Sequence, residues 1–356
     1  MTAPEWVQRG RILLARLDSF GDILLAGPAV RAVAGAAASL TMLVGAGRTS
    51  AARLLPGVDD VISYDAPWVV LDPQPVSQVA VAELVGTVQR SRFDGALILT
   101  SFHQSPLPLA LLLRLAGVPW IGAISEDYPG SLLDLRLRPP GDLPEAERNL
   151  WLVGEAGFPP DGLGSRLAVR RPLPDVRRWV GSEPFVVYHP GAAVPARRPT
   201  AEHSRAIVAA LVAGGHRVLV TGDRAESTLT GYVSADLALE LGGQLNLPQL
   251  AAVLDSASVV VAPNTGPAHL AAAVGTPVVS LFAPVVPAAR WAPHGVPRVV
   301  LGDQHADCRQ TRSTTCPVPG HPCLSSVSPA EVCSAVASLL SARAPSESVS
   351  EGVSWS

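Results

Sequence analysis

The most informative segment of the chain is VVVAPNTGPAHLAAAVGTPVVSLFAP, residues 259–284. Its apolar start predicts a strand that ends at Ala262, after which NTG opens a helix that begins at Pro267. Proline is well tolerated at the first helical position because its missing N–H would have had no partner inside the helix. The segment therefore predicts a strand, a turn, a helix and a second strand at Val278–Leu281.

The turn in this segment is a candidate anion site. We expect the backbone N–H groups of Thr265, Gly266 and Ala268 to be free, because the first turn of a helix leaves them without partners. With the helix dipole they favour a phosphate, and Gly266 allows close backbone approach. His269 could add a hydrogen bond, although a lone histidine here is more simply explained as a packed side chain.

The alternation of strand and helix recurs along the whole chain. Strands are predicted at 11–16, 40–45, 60–64, 95–99, 119–123, 185–189, 217–221, 259–262 and 278–281. Helices are predicted at 22–34, 48–55, 76–90, 107–116, 200–213, 225–238, 248–256, 267–274 and 329–343. This pattern is typical of α/β proteins with doubly wound parallel sheets, which bind ligands beyond the carboxyl ends of their strands.

The length of 356 residues fits two domains. A stretch rich in proline and charge predicts a linker at 172–184. We predict an N-terminal domain at 1–175, a C-terminal domain at 184–335, and a terminal segment at 336–356 that contains the end of the last helix and a disordered serine-rich tail.

Composition excludes several classes of protein. Hydrophobic residues make up 48% of the chain and charged residues 16%, which rules out disorder over most of its length. The net charge of -3 argues against nucleic-acid binding. None of the 27 basic residues is Lys, so any anion held by a side chain must be met by Arg or His.

Neither a membrane span nor a signal peptide is evident. The longest apolar candidate, 107–124, is interrupted by Arg114, Gly117 and Pro119. The N-terminal stretch MTAPEWVQRGRILLAR lacks the apolar core of a signal peptide, so we expect a cytoplasmic location.

Cys308, Cys316, Cys323 and Cys333 cluster in the last fifth of the chain. Their spacing lacks the tight pairs of structural zinc sites, and a cytoplasmic location disfavours disulfides. Free thiols are the favoured interpretation; a metal site and a disulfide are the alternatives.

Three further motifs place polar residues after predicted strands. In RLDSFGD, residues 16–22, Asp22 lies near a helix N-terminus that favours a carboxylate, and Asp18 is the competing carboxylate, interpreted as a turn former. No G-x-G-x-x-G follows this strand, which disfavours a dinucleotide cofactor and an NAD dehydrogenase.

The other two motifs lie in the second half. In YHPGAAVPARRP, residues 188–199, Arg197 and Arg198 suit either an anionic ligand or a solvated surface. In VTGDRAES, residues 220–227, Gly222 turns the chain and Glu226 could accept hydrogen bonds from a ribose or could simply begin the next helix.

Taken in order, RLDSFGDILLAGPAVRA, HPGA with its Arg pair, TGDRAE and NTGPAHLAAAVGTPVVSLFAP resemble glycosyltransferase family nine, the ADP-heptose heptosyltransferases and their relatives. The resemblance spans about residues 11–340. It implies the GT-B fold, in which two Rossmann-like domains face each other across a cleft. The acceptor would bind to the N-terminal half and the nucleotide-sugar to the C-terminal half.

The resemblance also implies site residues and a reaction, namely inverting transfer of a heptose or related sugar to an acceptor hydroxyl. Asp22 matches the general base. The other matches are Ser19 and Gly21 on the acceptor side, Arg197 or Arg198, Asn264, Thr265, Gly266 and His269 for the donor phosphates, and Gly222 and Glu226 for the nucleoside. Asn264 replaces a usual Asp and Arg198 lies near a usual Trp, so the donor could differ from ADP-heptose.

The family transfers sugar without a bound metal, so we expect no metal and no cofactor beyond the nucleoside diphosphate sugar. The expected partners are that donor and a glycan, glycolipid or small-molecule acceptor, without nucleic acid. A lipid acceptor would place the protein at the inner face of the membrane. The alternatives are a nucleotide-sugar epimerase of the same fold and a non-catalytic nucleotide-sugar binding module.

Overall fold

The computed structural model describes residues 2–70, 72–138 and 141–343, so the predicted serine-rich tail lies outside the described residues. Twelve strands are described. They are β1 (Arg11–Arg16), β2 (Ser39–Val44), β3 (Asp60–Ser63), β4 (Gly95–Ile98), β5 (Ile121–Ile124), β6 (Leu135–Leu137), β7 (Val186–Tyr188), β8 (Val218–Val220), β9 (Leu239–Glu240), β10 (Val259–Pro263), β11 (Val278–Leu281) and β12 (Arg298–Leu301).

These strands form two six-stranded parallel sheets, in the orders β3-β2-β1-β4-β5-β6 and β12-β11-β10-β7-β8-β9. Both sheets thus have the strand order of a doubly wound nucleotide-binding fold, and the predicted fold class is confirmed. The order reverses between β1 and β4 in one sheet and between β7 and β10 in the other. In folds of this kind, ligands bind beyond the carboxyl ends of the strands where the order reverses. The loops after β1 and β10 are therefore the expected ligand-binding loops.

Helices connect the strands. The α-helices are α1 (Glu5–Gln8), α2 (Phe20–Leu25), α3 (Gly27–Ala34), α4 (Thr49–Leu54), α5 (Gln78–Ser91), α6 (Leu107–Leu115), α7 (Glu145–Glu155), α8 (Arg177–Val180), α9 (Ala201–Ala213), α10 (Ser227–Ser234), α11 (Leu247–Ser256), α12 (Gly266–Val274), α13 (Ala288–Trp291), α14 (Pro322–Ser325) and α15 (Pro329–Arg343). Short 3₁₀ turns lie at Gly130–Leu132 and Pro195–Arg197.

The side chains of each central strand divide between two cores, as the period of a strand requires. In β1, Ile12 and Leu14 join one apolar cluster and Leu13 joins another. The cluster that contains Ile12 and Leu14 also contains Val260 of β10. The two sheets are therefore joined by one continuous apolar core.

Several elements differ from the sequence prediction. The helix predicted at 22–34 is two helices, α2 and α3, because Pro28 lacks the N–H that would bond back into α2. Eight elements were not predicted, and one of them, α8, lies in the predicted linker at 172–184. They are β6, β9, β12, α1, α7, α8, α13 and α14. Within the described ranges, no helix combines the length and apolar character needed to cross a bilayer.

Candidate active site

Asp22 lies in the first turn of α2, directly after the carboxyl end of β1. Ser19 is the N-cap, and its Oγ accepts a hydrogen bond from the Asp22 backbone N–H at 3.3 Å. The Asp22 carboxylate in turn accepts from Ser19 Oγ at 2.6 Å and from the Ser19 N–H at 3.3 Å. This is a capping box, so the first-turn interpretation of Asp22 is confirmed. The cap also fixes the carboxylate at the edge of the sheet.

A buried arginine lies beneath this carboxylate. Arg16, at the end of β1, has no solvent exposure. Its guanidinium lies 3.0 Å from Asp18, 3.1 Å from Asp22 and 3.2 Å from Glu145 of α7, and donates to Ser101 at 2.9 Å. We did not predict roles for Arg16 or Glu145. The turn-former interpretation of Asp18 is incomplete, because its carboxylate is a partner in this ion-pair network.

The network shifts the pKa values of Asp18 and Asp22 in opposite directions. Burial by itself raises the pKa of Asp22, but Arg16 and the Ser19 hydrogen bond outweigh it and hold the pKa below its usual value. Burial raises the pKa of Asp18 despite Arg16, and the neighbouring Asp22 charge adds to that rise. Asp22 is therefore the more readily ionised member of the pair.

The predicted phosphate turn follows β10. Helix α12 begins at Gly266, with Pro267 second, one residue earlier than predicted. The Ala268 N–H donates to the Thr265 carbonyl at 3.1 Å, so the expectation that it is free was wrong. The N–H groups of Thr265 and Gly266 have no acceptor in the described part of the chain.

Helices α2 and α12 meet at their N-termini. A Cβ at Gly266 would overlap the ring of Phe20, and a Cβ at Gly21 would lie 2.8 Å from Cδ2 of His269. Only glycine permits an approach this close. The two glycines thus bring Asp22 and the free N–H groups of α12 to the same cleft, from opposite halves of the chain.

Two buried polar side chains of this turn lack partners. Asn264 and His269 are 4% and 3% exposed, and neither Nδ2 of Asn264 nor Nδ1 of His269 has a hydrogen-bond partner in the described structure. Burial lowers the pKa of His269 to about 4, although Asp22 opposes this shift. His269 is therefore a neutral imidazole at pH 7. Buried polar groups normally have hydrogen-bond partners, so these two atoms are candidates for contacts with a ligand at the turn.

The two arginines of the second motif face different groups. Burial lowers the pKa of Arg197, whereas the nearby Asp22 raises it. The Nε of Arg197 is buried without a partner. Arg198 instead acts on Glu226, whose pKa is raised by burial and lowered by the Arg198 charge. Arg197 thus acts electrostatically on Asp22, and Arg198 acts on Glu226.

Glu226 is the N-cap of α10 and lies against the end of β7. Its carboxylate accepts the Asp223 N–H at 3.0 Å and lies 3.8 Å from Nε2 of His189. A Cβ at Gly191 would overlap this carboxylate, and one at Gly222 would lie 3.2 Å from its Oε2. The predicted pair Gly222 and Glu226 is therefore in contact.

A further contact crosses the cleft at α13. The indole Nε1 of Trp291 donates to Oδ1 of Asp22 at 3.3 Å. The Trp291 ring lies 5.4 Å from that of Phe102, and the Arg290 guanidinium lies 4.1 Å from the centroid of the Phe102 ring. Arg290 also pairs with Asp142. The sequence assigned no role to Trp291, which follows the segment 259–284.

The four cysteines are free thiols, as the favoured interpretation predicted. Burial raises the pKa of Cys308 and raises that of Cys323 to about 12. Among the described residues, no group of three or more His, Cys, Asp or Glu side chains is arranged to hold a metal ion.

Comparison with known proteins gives the family. A model described as glycosyltransferase family 9 (heptosyltransferase) matches residues 83–321. The chain belongs to glycosyltransferase family 9. The family resemblance inferred from the motifs is thus confirmed over most of the chain.

Curated relatives align with this family 9 chain only in part. Lipopolysaccharide heptosyltransferase 3 of Escherichia coli is 32% identical over 83 residues, or 22% of this chain and 24% of the relative. Lipopolysaccharide core heptosyltransferase OpsX of Haemophilus influenzae is 44% identical over 43 residues, or 12% of each chain. The matched segments thus span about a quarter or less of these relatives.

Solved structures match the family 9 chain over nearly its whole length. A glycosyltransferase family 9 protein from Veillonella parvula gives a TM-score of 0.75 at 17% identity, covering 96% of this chain and 99% of that one. The E. coli ADP-heptose LPS heptosyltransferase II gives 0.69 at 18% identity, with 93% and 99% covered. E. coli heptosyltransferase WaaC with ADP-2-deoxy-2-fluoro heptose gives 0.68 at 18%, with 92% and 99% covered. These likenesses confirm the GT-B fold.

The close approach of α2 and α12 predicts a large effect of a small substitution. Gly266→Ala places a methyl group in the Phe20 ring and beside the free N–H groups. Overpacking of this kind costs about 1–3 kcal/mol, so we expect the free energy of unfolding to fall by that amount. Urea unfolding followed by circular dichroism measures this directly.

Gly231→Ala is the matched control. Gly231 lies within α10, and a Cβ there meets no atom within 4 Å. We expect this variant to be at least as stable as the wild type. Unchanged stability in Gly266→Ala would mean that the contact between Phe20 and α12 can accommodate a methyl group without cost.

Proposed function

We propose that this family 9 protein is an inverting, metal-independent glycosyltransferase that moves a heptose or related sugar from a nucleoside diphosphate to an acceptor hydroxyl. One observation carries the proposal. A partly exposed carboxylate, Asp22, whose pKa Arg16 and Ser19 hold below its usual value, lies beside the N-terminus of α12, where Gly21 contacts His269. A base opposite an anion site is the arrangement that displacement of a phosphate leaving group requires.

In the proposed reaction, the acceptor oxygen attacks the anomeric carbon, and its proton passes to the Asp22 carboxylate. The bond between that carbon and the diphosphate oxygen breaks, and the electron pair leaves with the nucleoside diphosphate. Negative charge then grows on the diphosphate, where the N–H groups of Thr265 and Gly266, the α12 dipole and Arg197 stabilise it.

The rest of the donor is proposed to extend toward β7 and β8. Glu226 would accept hydrogen bonds from the ribose, beside Gly222, with Arg198 near its carboxylate. Asn264 would contribute its unpartnered amide N–H to the donor, where a carboxylate could only accept. Ser19 and Gly21 would border the acceptor.

ADP-heptose is the first donor to test, because the matched WaaC structure carries an ADP-heptose analogue. The acceptor is proposed to be a glycan, glycolipid or small molecule. The proposal includes a cytoplasmic location, at the inner face of the membrane if the acceptor is a lipid.

The test combines donor binding with product analysis. Purified protein is mixed with a panel of nucleoside diphosphate sugars that includes ADP-heptose, and thermal stabilisation identifies those that bind the folded state. Each binder is then incubated with and without candidate acceptors, and products are identified by mass spectrometry. We expect sugar transfer to an acceptor. Conversion of donor to an epimer would favour the epimerase, and binding without any turnover would favour a binding module.

A further inference from the structure

The carboxylate of Asp22 already has four polar contacts, three hydrogen bonds and one ion pair. Its Oδ2 accepts from the Oγ and the N–H of Ser19, at 2.6 and 3.3 Å. Its Oδ1 lies 3.1 Å from a guanidinium nitrogen of Arg16 and accepts from Nε1 of Trp291 at 3.3 Å. A carboxylate offers about four lone-pair positions. One of these contacts must leave before an acceptor hydroxyl can reach the base.

Trp291 is the contact that can exchange most easily. Arg16 is fully buried and is also bound to Asp18 and Glu145, so moving it would break the whole network. Ser19 caps the helix that carries Asp22. Trp291 comes from the C-terminal half, and its one hydrogen bond to Asp22, at 3.3 Å, belongs neither to the helix cap nor to the buried ion-pair network.

The indole is held over the base by other contacts across the cleft. Its ring packs on Phe102 at 5.4 Å, and the neighbouring Arg290 stacks on Phe102 and pairs with Asp142. Trp291 is itself 8% exposed. The indole N–H therefore reaches Asp22 when the two halves are together.

We propose that Trp291 is a positioning residue that masks the base, meaning that its N–H occupies a lone pair of Asp22 until an acceptor hydroxyl replaces it. This inference rests on the proposed function. An indole N–H donates but cannot accept a proton. A masked Asp22 therefore cannot activate water when the donor is bound alone.

The reaction that the mask suppresses is hydrolysis of the donor. A water oxygen would attack the anomeric carbon, its proton would pass to Asp22, and the nucleoside diphosphate would leave with the electron pair of the broken bond. The products would be free sugar and nucleoside diphosphate. The acceptor hydroxyl differs from water because the rest of the acceptor can supply the binding energy that displaces the indole.

Trp291→Phe isolates the hydrogen bond, because the new ring can still pack on Phe102. The charged and titratable groups near Asp22 are unchanged in this variant. They are Arg16, Asp18, His103, Glu145, Arg197 and His269. Any change in the titration of Asp22 then reports the lost indole N–H.

Two measurements test the mask in the full chain. The pKa of Asp22 is followed by the carboxyl signal of ¹³C-labelled aspartate in NMR, with Asp22→Asn to assign it, and we expect the pKa to move upward in Trp291→Phe. Hydrolysis of ADP-heptose without acceptor is expected to rise about threefold to tenfold, the range of one hydrogen bond. Trp6→Phe, at an exposed tryptophan, should change neither.

The outcomes separate this proposal from the proposed function. If the pKa of Asp22 rises in Trp291→Phe but the protein processes no sugar nucleotide, the hydrogen bond between Trp291 and Asp22 is supported and the transferase function is contradicted. Slower hydrolysis in Trp291→Phe, or an Asp22 titration like that of the wild type, overturns the mask while leaving the transferase intact. Trp291→Leu is the second variant if the Phe variant does not fold.

Discussion

Asp22→Asn is expected to reduce sugar transfer by about 10²- to 10⁴-fold, the usual contribution of a positioned general base. Asparagine keeps the size of the side chain and an oxygen for Arg16 and Trp291, so the fold should survive. If the proposed diphosphate site at α12 is right, binding of ADP should be unchanged or slightly tighter, because the substitution removes a negative charge close to His269. Steady-state rates and ADP calorimetry measure the two effects separately.

Asp18→Asn is the matched comparison. Asp18 shares Arg16 with Asp22 but has a raised pKa and accepts from Ser101 at 2.7 Å. We expect a loss of less than about tenfold, since Asp18 acts only through the network. The reverse order, with Asp18→Asn the more severe variant, would move the role of base to Asp18.

The pH dependence of kcat/KM is a second test of Asp22 as the general base. A carboxyl whose pKa lies below its usual value is ionised at all pH values above its ordinary range, so the acid limb of kcat/KM should lie below about pH 4. His269 should add no limb near neutrality, because its pKa is about 4. An acid limb between pH 6 and 7 would assign the proton transfer to another group.

Arg16→Met is expected to destabilise the protein by about 3–5 kcal/mol at pH 7, the usual result of removing one partner of a buried ion network. Asp18, Asp22 and Glu145 would lose their shared cation in a site without solvent exposure at Arg16. The loss should shrink as the pH falls, because protonated carboxyls no longer need the cation. Urea unfolding followed by circular dichroism measures it.

Arg9→Met is the control for this variant. Arg9 pairs with Glu5 at 3.3 Å, but both side chains are more than three-quarters exposed, at 77% and 79%. Exposed pairs contribute about 0–1 kcal/mol, so little change is expected. Similar unfolding midpoints for Arg16→Met and Arg9→Met would show that the buried network adds no stability.

The site residues that could be predicted from the sequence are those whose positions depend only on their neighbours in the chain. Asp22, Thr265 and Gly266 follow strands and open helices, and turn chemistry with helix capping places such residues without knowledge of the rest of the chain. The helices at 267–274 and 329–343 were also predicted to within a residue of α12 and α15.

The parts that were missed depend on contacts distant in sequence. Arg16 pairs with Glu145, which lies 129 residues later. The segment around Glu145 is rich in charged residues, which usually indicates a solvent-exposed surface. The sequence does contain a pattern that indicates a helix here, because four residues recur at helical spacing: Glu145, Arg148, Asn149 and Leu152. In the structure all four are buried and form the inner face of α7. Trp291 could not be assigned to Asp22, because nothing local specifies a contact between the two halves.

The apolar core shared by the two sheets has a consequence for the chain as a whole. A protein cut between β6 and β7 would expose the surfaces where α2 and α12 pack on each other, within the apolar cluster that includes both Leu14 and Val260. We therefore expect each half, produced alone, to aggregate, and the intact chain to unfold in a single transition.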